Sequence, residues 1–100
     1  MQKLRVASCQ FPVTQDVDRN AEYVGRYMEK AAAAGAHLLH TSEACLSGYA
    51  GADFTSFTDF DWERLRWNTA CLRDMAAALN LWFVLGSAYF LSARSKPTNF

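Results

Sequence analysis

Glu43 stands where a carboxylate could do chemistry. It follows a short apolar segment, residues 36–41, in which Leu38 and Leu39 are adjacent, and it precedes a loop over residues 47–59 rich in Gly, Ser, Thr and Asp. Adjacent apolar residues suit a strand covered on both faces, and open α/β sheets hold ligands beyond the carboxyl ends of such strands. A carboxylate partly desolvated there can have its pKa raised and act as a general base. The same position also suits a solvated or capping carboxylate at the start of a loop.

Cys45 lies two residues further on. Alternate side chains of an extended segment share a face, so contact with Glu43 is open to it. A nucleophilic thiol also needs an activating partner and backbone donors for the oxyanion. The sequence around Cys45 offers neither, and the residue reads as a small apolar packing group. Cys9 and Cys71 read as strand and helix packing. The three cysteines have no metal-ligand spacing and cannot all pair, which points to reduced thiols in the cytoplasm. His37 and His40 have no third ligand at suitable spacing and are expected to donate to backbone rather than bind a metal. Trp62, Trp67 and Trp82 read as core or interface aromatics rather than a cofactor box.

The elements that must position Glu43 alternate strictly. Residues 4–11 form a first strand, with Leu4, Val6 and Ser8 on one face and Arg5, Ala7 and Cys9 on the other, ended by Pro12. Asp16 or Asp18 caps a helix whose stripe runs Val17, Ala21, Val24, Met28, Ala31 and Gly35, with Gly35 also as a left-handed stop. Glu22 and Arg26 pair one turn apart on its solvated side. Asp59 or Asp61 caps a second helix, with Trp62, Leu65, Thr69, Leu72, Ala76 and Leu79 inward and Asn80 as terminator. Residues 81–85 form a third strand, stopped by Gly86. This β-α-β-α-β order implies an α/β fold with parallel pairing and right-handed crossovers. Two helices cannot cover both faces and edges of such a sheet, so residues 1–100 are expected to be part of a larger domain.

Composition excludes some partners. Ten basic and ten acidic residues cancel, with no basic stripe for nucleic acid or an anionic membrane surface. The longest apolar-leaning run, residues 81–91, is too short to span a bilayer. The N-terminus shows no signal-peptide pattern. At 51% hydrophobic the chain has ample material for a core.

The string Gly35-Ala36-His37-Leu38-Leu39-His40-Thr41-Ser42-Glu43-Ala44-Cys45-Leu46-Ser47-Gly48-Tyr49 resembles the first catalytic motif of the nitrilase superfamily of carbon–nitrogen hydrolases. In that motif a Gly-Ala-Asp-hydrophobic strand delivers a glutamate, and a Leu-Thr/Ser-Gly-Tyr turn follows. The resemblance extends to residues 7–10, to Asn20 and residues 31–35, to residues 84–86 and to Asn99. Thr41 and Ser42 stand where the family often has Phe-Pro.

The resemblance implies the N-terminal portion of a four-layer α-β-β-α sandwich. It implies hydrolysis of a small-molecule amide or nitrile by a Cys–Glu–Lys site, without a cofactor, in a full-length protein that forms homo-oligomers. Glu43 would be the general base, and Tyr49 with residues 51–57 would wall the substrate pocket. The lysine and cysteine would lie outside residues 1–100, because Lys96 precedes Asn99 and so sits on the wrong side of the motif. The alternative is a non-catalytic α/β ligand-binding or interaction module with Glu43 as a surface carboxylate.

Overall fold

A computed structural model describes residues 3–89 and 98–99, with residues 89, 98 and 99 described through their backbone. Strand β1 (Val6–Ser8), helix α1 (Val17–Ala33), strand β2 (Leu38–His40), helix α2 (Trp62–Ala78) and strand β3 (Trp82–Val84) follow in the expected order. The three strands form a parallel sheet in the order β1-β2-β3. Val6 pairs with Leu38, and Leu38 with Trp82. Right-handed crossovers between neighbouring strands carry both helices to the same face. The chain is thus an α layer on a β layer.

The helices start and stop where side chains satisfy their ends. Asp16 accepts from the Arg19 N–H at 3.3 Å, and Asp61 accepts from the Arg64 N–H at 2.9 Å, each serving an otherwise unpaired first-turn donor. Of the alternatives, Asp18 instead joins the helices, accepting from Asn68 Nδ2 at 2.9 Å with Arg64 beside it. Gly35 (φ 81°) and Asn80 (φ 53°) both adopt the left-handed conformation expected of helix terminators. Val17, Ala21, Val24, Met28 and Ala31 of α1 are all buried. On α2 the buried set is Leu65, Asn68, Leu72 and Ala76, so Asn68 takes an inward place the apolar stripe did not show. The Glu22–Arg26 pair forms at 3.3 Å on an exposed face.

The sheet departs from expectation in one respect. Leu39 is 1% exposed, but its neighbour Leu38 is only partly buried. Ala7, Leu39 and Phe83 meet the helices, whereas Leu4, Val6, Trp82 and Val84 on the other face are 70%, 54%, 79% and 50% exposed. The strand read as covered on both faces is covered on one among the described residues. Cys71 likewise lies exposed on α2 and is not a packing residue. His37 accepts at Nδ1 from the Arg5 N–H at 2.9 Å, the reverse of the donor role expected of it. Beyond β3 the chain adds a short antiparallel pair, β4 (Ala88–Tyr89) with β5 (Thr98–Asn99); the resemblance implied a strand opening at Asn99, but not its pairing with residues 88–89. Lys96 lies outside the described residues. No helix among the described residues is long and apolar enough to cross a membrane.

One buried polar side chain ties the layers together. Asn20, fully buried on α1, donates from Nδ2 to the Thr14 carbonyl at 2.7 Å and to the Leu46 carbonyl at 3.0 Å. Its Oδ1 accepts from the Thr14 N–H at 2.9 Å and the Thr14 hydroxyl at 3.1 Å. A buried amide is tolerated only when its donors and acceptor are used, and here all are. Replacing Asn20 by Ala strands the Leu46 carbonyl and Thr14 N–H. The expected loss is about 2–3 kcal/mol in unfolding free energy, read from urea melts.

Candidate functional site

The segment after β2 turns sharply at the sheet's C-terminal rim. Thr41 extends the strand by one hydrogen bond, its N–H donating to the Val84 carbonyl at 3.1 Å. The Cys45 N–H then closes a turn on the Ser42 carbonyl at 3.3 Å, with Ala44 at φ 54°. A positive φ at the third position is the signature of a type II turn, which ordinarily prefers Gly there. An alanine in the left-handed region costs about 1–2 kcal/mol, and the surrounding hydrogen bonds hold it. Glu43, one residue earlier, is carried outward and is exposed.

Three neighbouring segments fix this turn. The Thr41 hydroxyl donates to the Val84 carbonyl at 2.8 Å and accepts from the Gly86 N–H at 2.9 Å. Leu46 N–H donates to the Gly86 carbonyl at 3.1 Å, and buried Ser47 Oγ accepts from the Ala88 N–H at 2.9 Å. Asn20 holds the Leu46 carbonyl from below. Thr41 in place of the family's frequent aromatic residue is thereby accommodated: its hydroxyl links two strand ends that an apolar side chain would only cover.

Gly86 allows the closest approach. A Cβ there would stand 2.1 Å from the Ser42 carbonyl oxygen and 2.8 Å from the Ala44 nitrogen. Gly48 (φ 81°) makes a second close contact, with a Cβ placed 2.9 Å from the Thr14 carbonyl oxygen. Sequence reasoning took Gly86 only as a strand stop and missed this role, for which nothing local gives a signal.

Tyr49 is brought to Glu43. Its hydroxyl lies 3.5 Å from Glu43 Oε1, at the long end of hydrogen-bonding distance, and both side chains are exposed. Among the described residues no Lys or Arg forms an ion pair with Glu43. The dry, cation-flanked pocket that a general base calls for is therefore not formed by these residues, and Glu43 lies exposed at the rim. Residues 51–57 pack mainly on themselves and on the start of α2: the rings of Phe54, Phe57, Phe60 and Trp62 meet at centroid distances of 4.6–5.4 Å.

The same turn that sends Glu43 outward sends Cys45 into the core, where it is fully buried. Burial pushes its thiol up, and hydrogen bonds involving Thr41 and the Gly86 backbone oppose that only in part. Burial also raises the Cys9 thiol to about 11, with the neighbouring Cys45 adding to the shift. A thiolate is the nucleophile, so neither residue is poised as one. The shared face open to Glu43 and Cys45 in an extended segment is removed by the turn.

Two outcomes follow from this geometry. Gly86→Ala forces the Ser42 carbonyl aside and is expected to lower stability by about 3 kcal/mol in chemical denaturation. The Cys9 thiol ionises near 9.0 when unfolded and near 11 when folded. Above pH 9 the unfolded chain therefore holds fewer protons, and stability falls as pH rises to about 11. Urea melts across that range should show the decline, and Cys9→Ala should make it shallower.

The comparisons with known proteins bear on the fold and on the family. No curated protein matches the chain. Among solved structures it is similar to an amidase from Nesterenkonia sp., with a TM-score of 0.73 and 22% identity over 86% of this chain and 32% of the amidase. The chain thus spans about a third of that amidase's length, and the likeness is one of fold. Beside it, the carbon–nitrogen hydrolase family model matches residues 5–99. With that match over nearly its whole length, this chain belongs to the carbon–nitrogen hydrolase family.

Proposed function

We propose that residues 1–100 are the N-terminal part of one carbon–nitrogen hydrolase domain and that Glu43 is the general base of its Cys–Glu–Lys site. The observation that carries this reading is a carboxylate on a turn at the carboxyl rim of a parallel sheet, fixed from three sides by buried polar groups. Open α/β sheets bind and react at that rim, and catalytic groups need a rigid mount.

In the complete site Glu43 takes the thiol proton of a cysteine supplied by the rest of the domain. The thiolate attacks a small-molecule amide or nitrile carbon, and a lysine with a backbone amide stabilises the oxyanion. With an amide, Glu43 passes that proton to the departing nitrogen, the C–N bond breaks to release ammonia or an amine, and a thioester remains. Water activated by Glu43 then hydrolyses it. Tyr49 walls the substrate pocket on the near side, and no organic cofactor or metal enters. The exposed sheet face bearing Leu4, Val6, Trp82 and Val84 supports the domain assignment, because apolar surface of that kind is normally covered. A second sheet packed there would complete the four-layer sandwich and dry the rim around Glu43. Three free cysteines fit a reducing cytoplasm, and the whole protein is proposed to pair its subunits.

Glu43→Gln in the complete domain is expected to cut ammonia release by about 10²–10⁴-fold with an unchanged circular dichroism spectrum. Residues 1–100 alone should be inactive in the same assay. Near-normal turnover by Glu43→Gln would remove the base from the mechanism, whereas a complete wild-type domain that releases no ammonia from any amide or nitrile would favour the non-catalytic module.

A further inference from the structure

From the loop that follows the Glu43 turn we infer that Tyr49, held by Asp53, is a positioning residue for Glu43 through its hydroxyl. This rests on the reading of Glu43 as the base. It gives the Tyr49 hydroxyl a duty toward the enzyme's own carboxylate that is separate from the contact of its ring with substrate.

The Tyr49 hydroxyl can donate to Glu43 Oε1, 3.5 Å away. An exposed carboxylate on a glutamate side chain has rotamer freedom that a base must lose before it can meet a thiol. A phenol at the end of a stiff two-torsion side chain restricts it at small entropic cost. Apo structures often hold such bonds long, and they tighten when substrate closes the site.

Tyr49 is itself fixed. Asp53 Oδ2 accepts from the Tyr49 N–H at 2.7 Å, while the Asp53 and Ala52 N–H groups donate back to the Tyr49 carbonyl at 2.8 and 3.0 Å. Gly51 N–H reaches the Phe54 carbonyl at 2.6 Å, closing residues 49–54 into one compact loop. Asp53 Cβ would lie 3.2 Å from a Cβ on Gly48, so the Asp53 methylene stands close to the last residue before Tyr49. Position therefore passes from Asp53 through the Tyr49 backbone to its ring and hydroxyl, and from there to Glu43. Asp53 bonds to Tyr49 and Tyr49 to Glu43, so Asp53 acts through Tyr49.

The test has two arms. In the 100-residue chain, the Glu43 carboxyl carbon resonance should move in Tyr49→Phe and in Asp53→Ala, and stay in place in Asp53→Asn, whose amide oxygen can still accept. In the complete enzyme, Tyr49→Phe keeps the ring and should lower kcat about three- to tenfold with KM within twofold. Asp53→Ala should follow it, and Asp53→Asn should recover most of the rate. A rise in KM with kcat intact would assign the hydroxyl to substrate and overturn the inference. An unmoved Glu43 resonance in Tyr49→Phe would overturn it whatever the kinetics. If Glu43→Gln stays active while that resonance moves, the base assignment fails and the contact stands.

Discussion

The rim of the sheet depends on one constraint: buried polar side chains there must have every hydrogen bond made. Asn20, Thr41 and Ser47 are nearly or wholly buried, and each links chain segments far apart in sequence. An unpaired polar group in such a place costs about 1–3 kcal/mol, so these bonds leave the 41–48 segment little choice of path. Among the described residues no buried side-chain donor or acceptor lacks a partner. An apolar core alone would hold the helices on the sheet; it would not determine where a turn at the sheet's edge points. That direction comes from hydrogen bonds, whose geometry is specific in a way that apolar burial is not.

The sequence revealed the periodic elements well. Val17, Ala21, Val24, Met28 and Ala31 share one face of α1 because their spacing follows the helical repeat, and all are buried. The stops at Gly35 and Asn80 were legible for a similar reason, since few residue types tolerate a left-handed backbone. The three strands were harder to bound. Each has only three residues in regular pairing, and alternation over so short a span does not say which face is buried. The adjacent Leu38 and Leu39 suggested cover on both faces, yet the second face is open among the described residues. Local sequence records that a residue is apolar; the element that covers it is a matter of tertiary partners.

At the candidate site the residues were legible and their arrangement was not. Glu43 and Tyr49 were both singled out, but their approach to 3.5 Å depends on the turn at Ala44 and the closed loop after it. Alanine carries no local preference for a positive φ, so nothing in the string indicated that Glu43 and Cys45 would part. Gly86 was equally opaque. Its small size matters because Ser42, distant in sequence, crosses it at a separation no side chain could share.

The departure from the family's frequent Phe-Pro shows how a turn can be kept with different chemistry. Proline stiffens a chain by locking its own φ and restricting the residue before it, an effect that needs no partner. Thr41 stiffens the same stretch through its hydroxyl, which bonds to Val84 at the end of the neighbouring strand and to Gly86 just beyond it. The first device is local and survives any surroundings. The second is only as rigid as the segment it grips, which couples the turn before Glu43 to the path of residues 84–88. In this chain the orientation of the carboxylate is thus a property of two strand ends together, and a change at either one must be felt at the other.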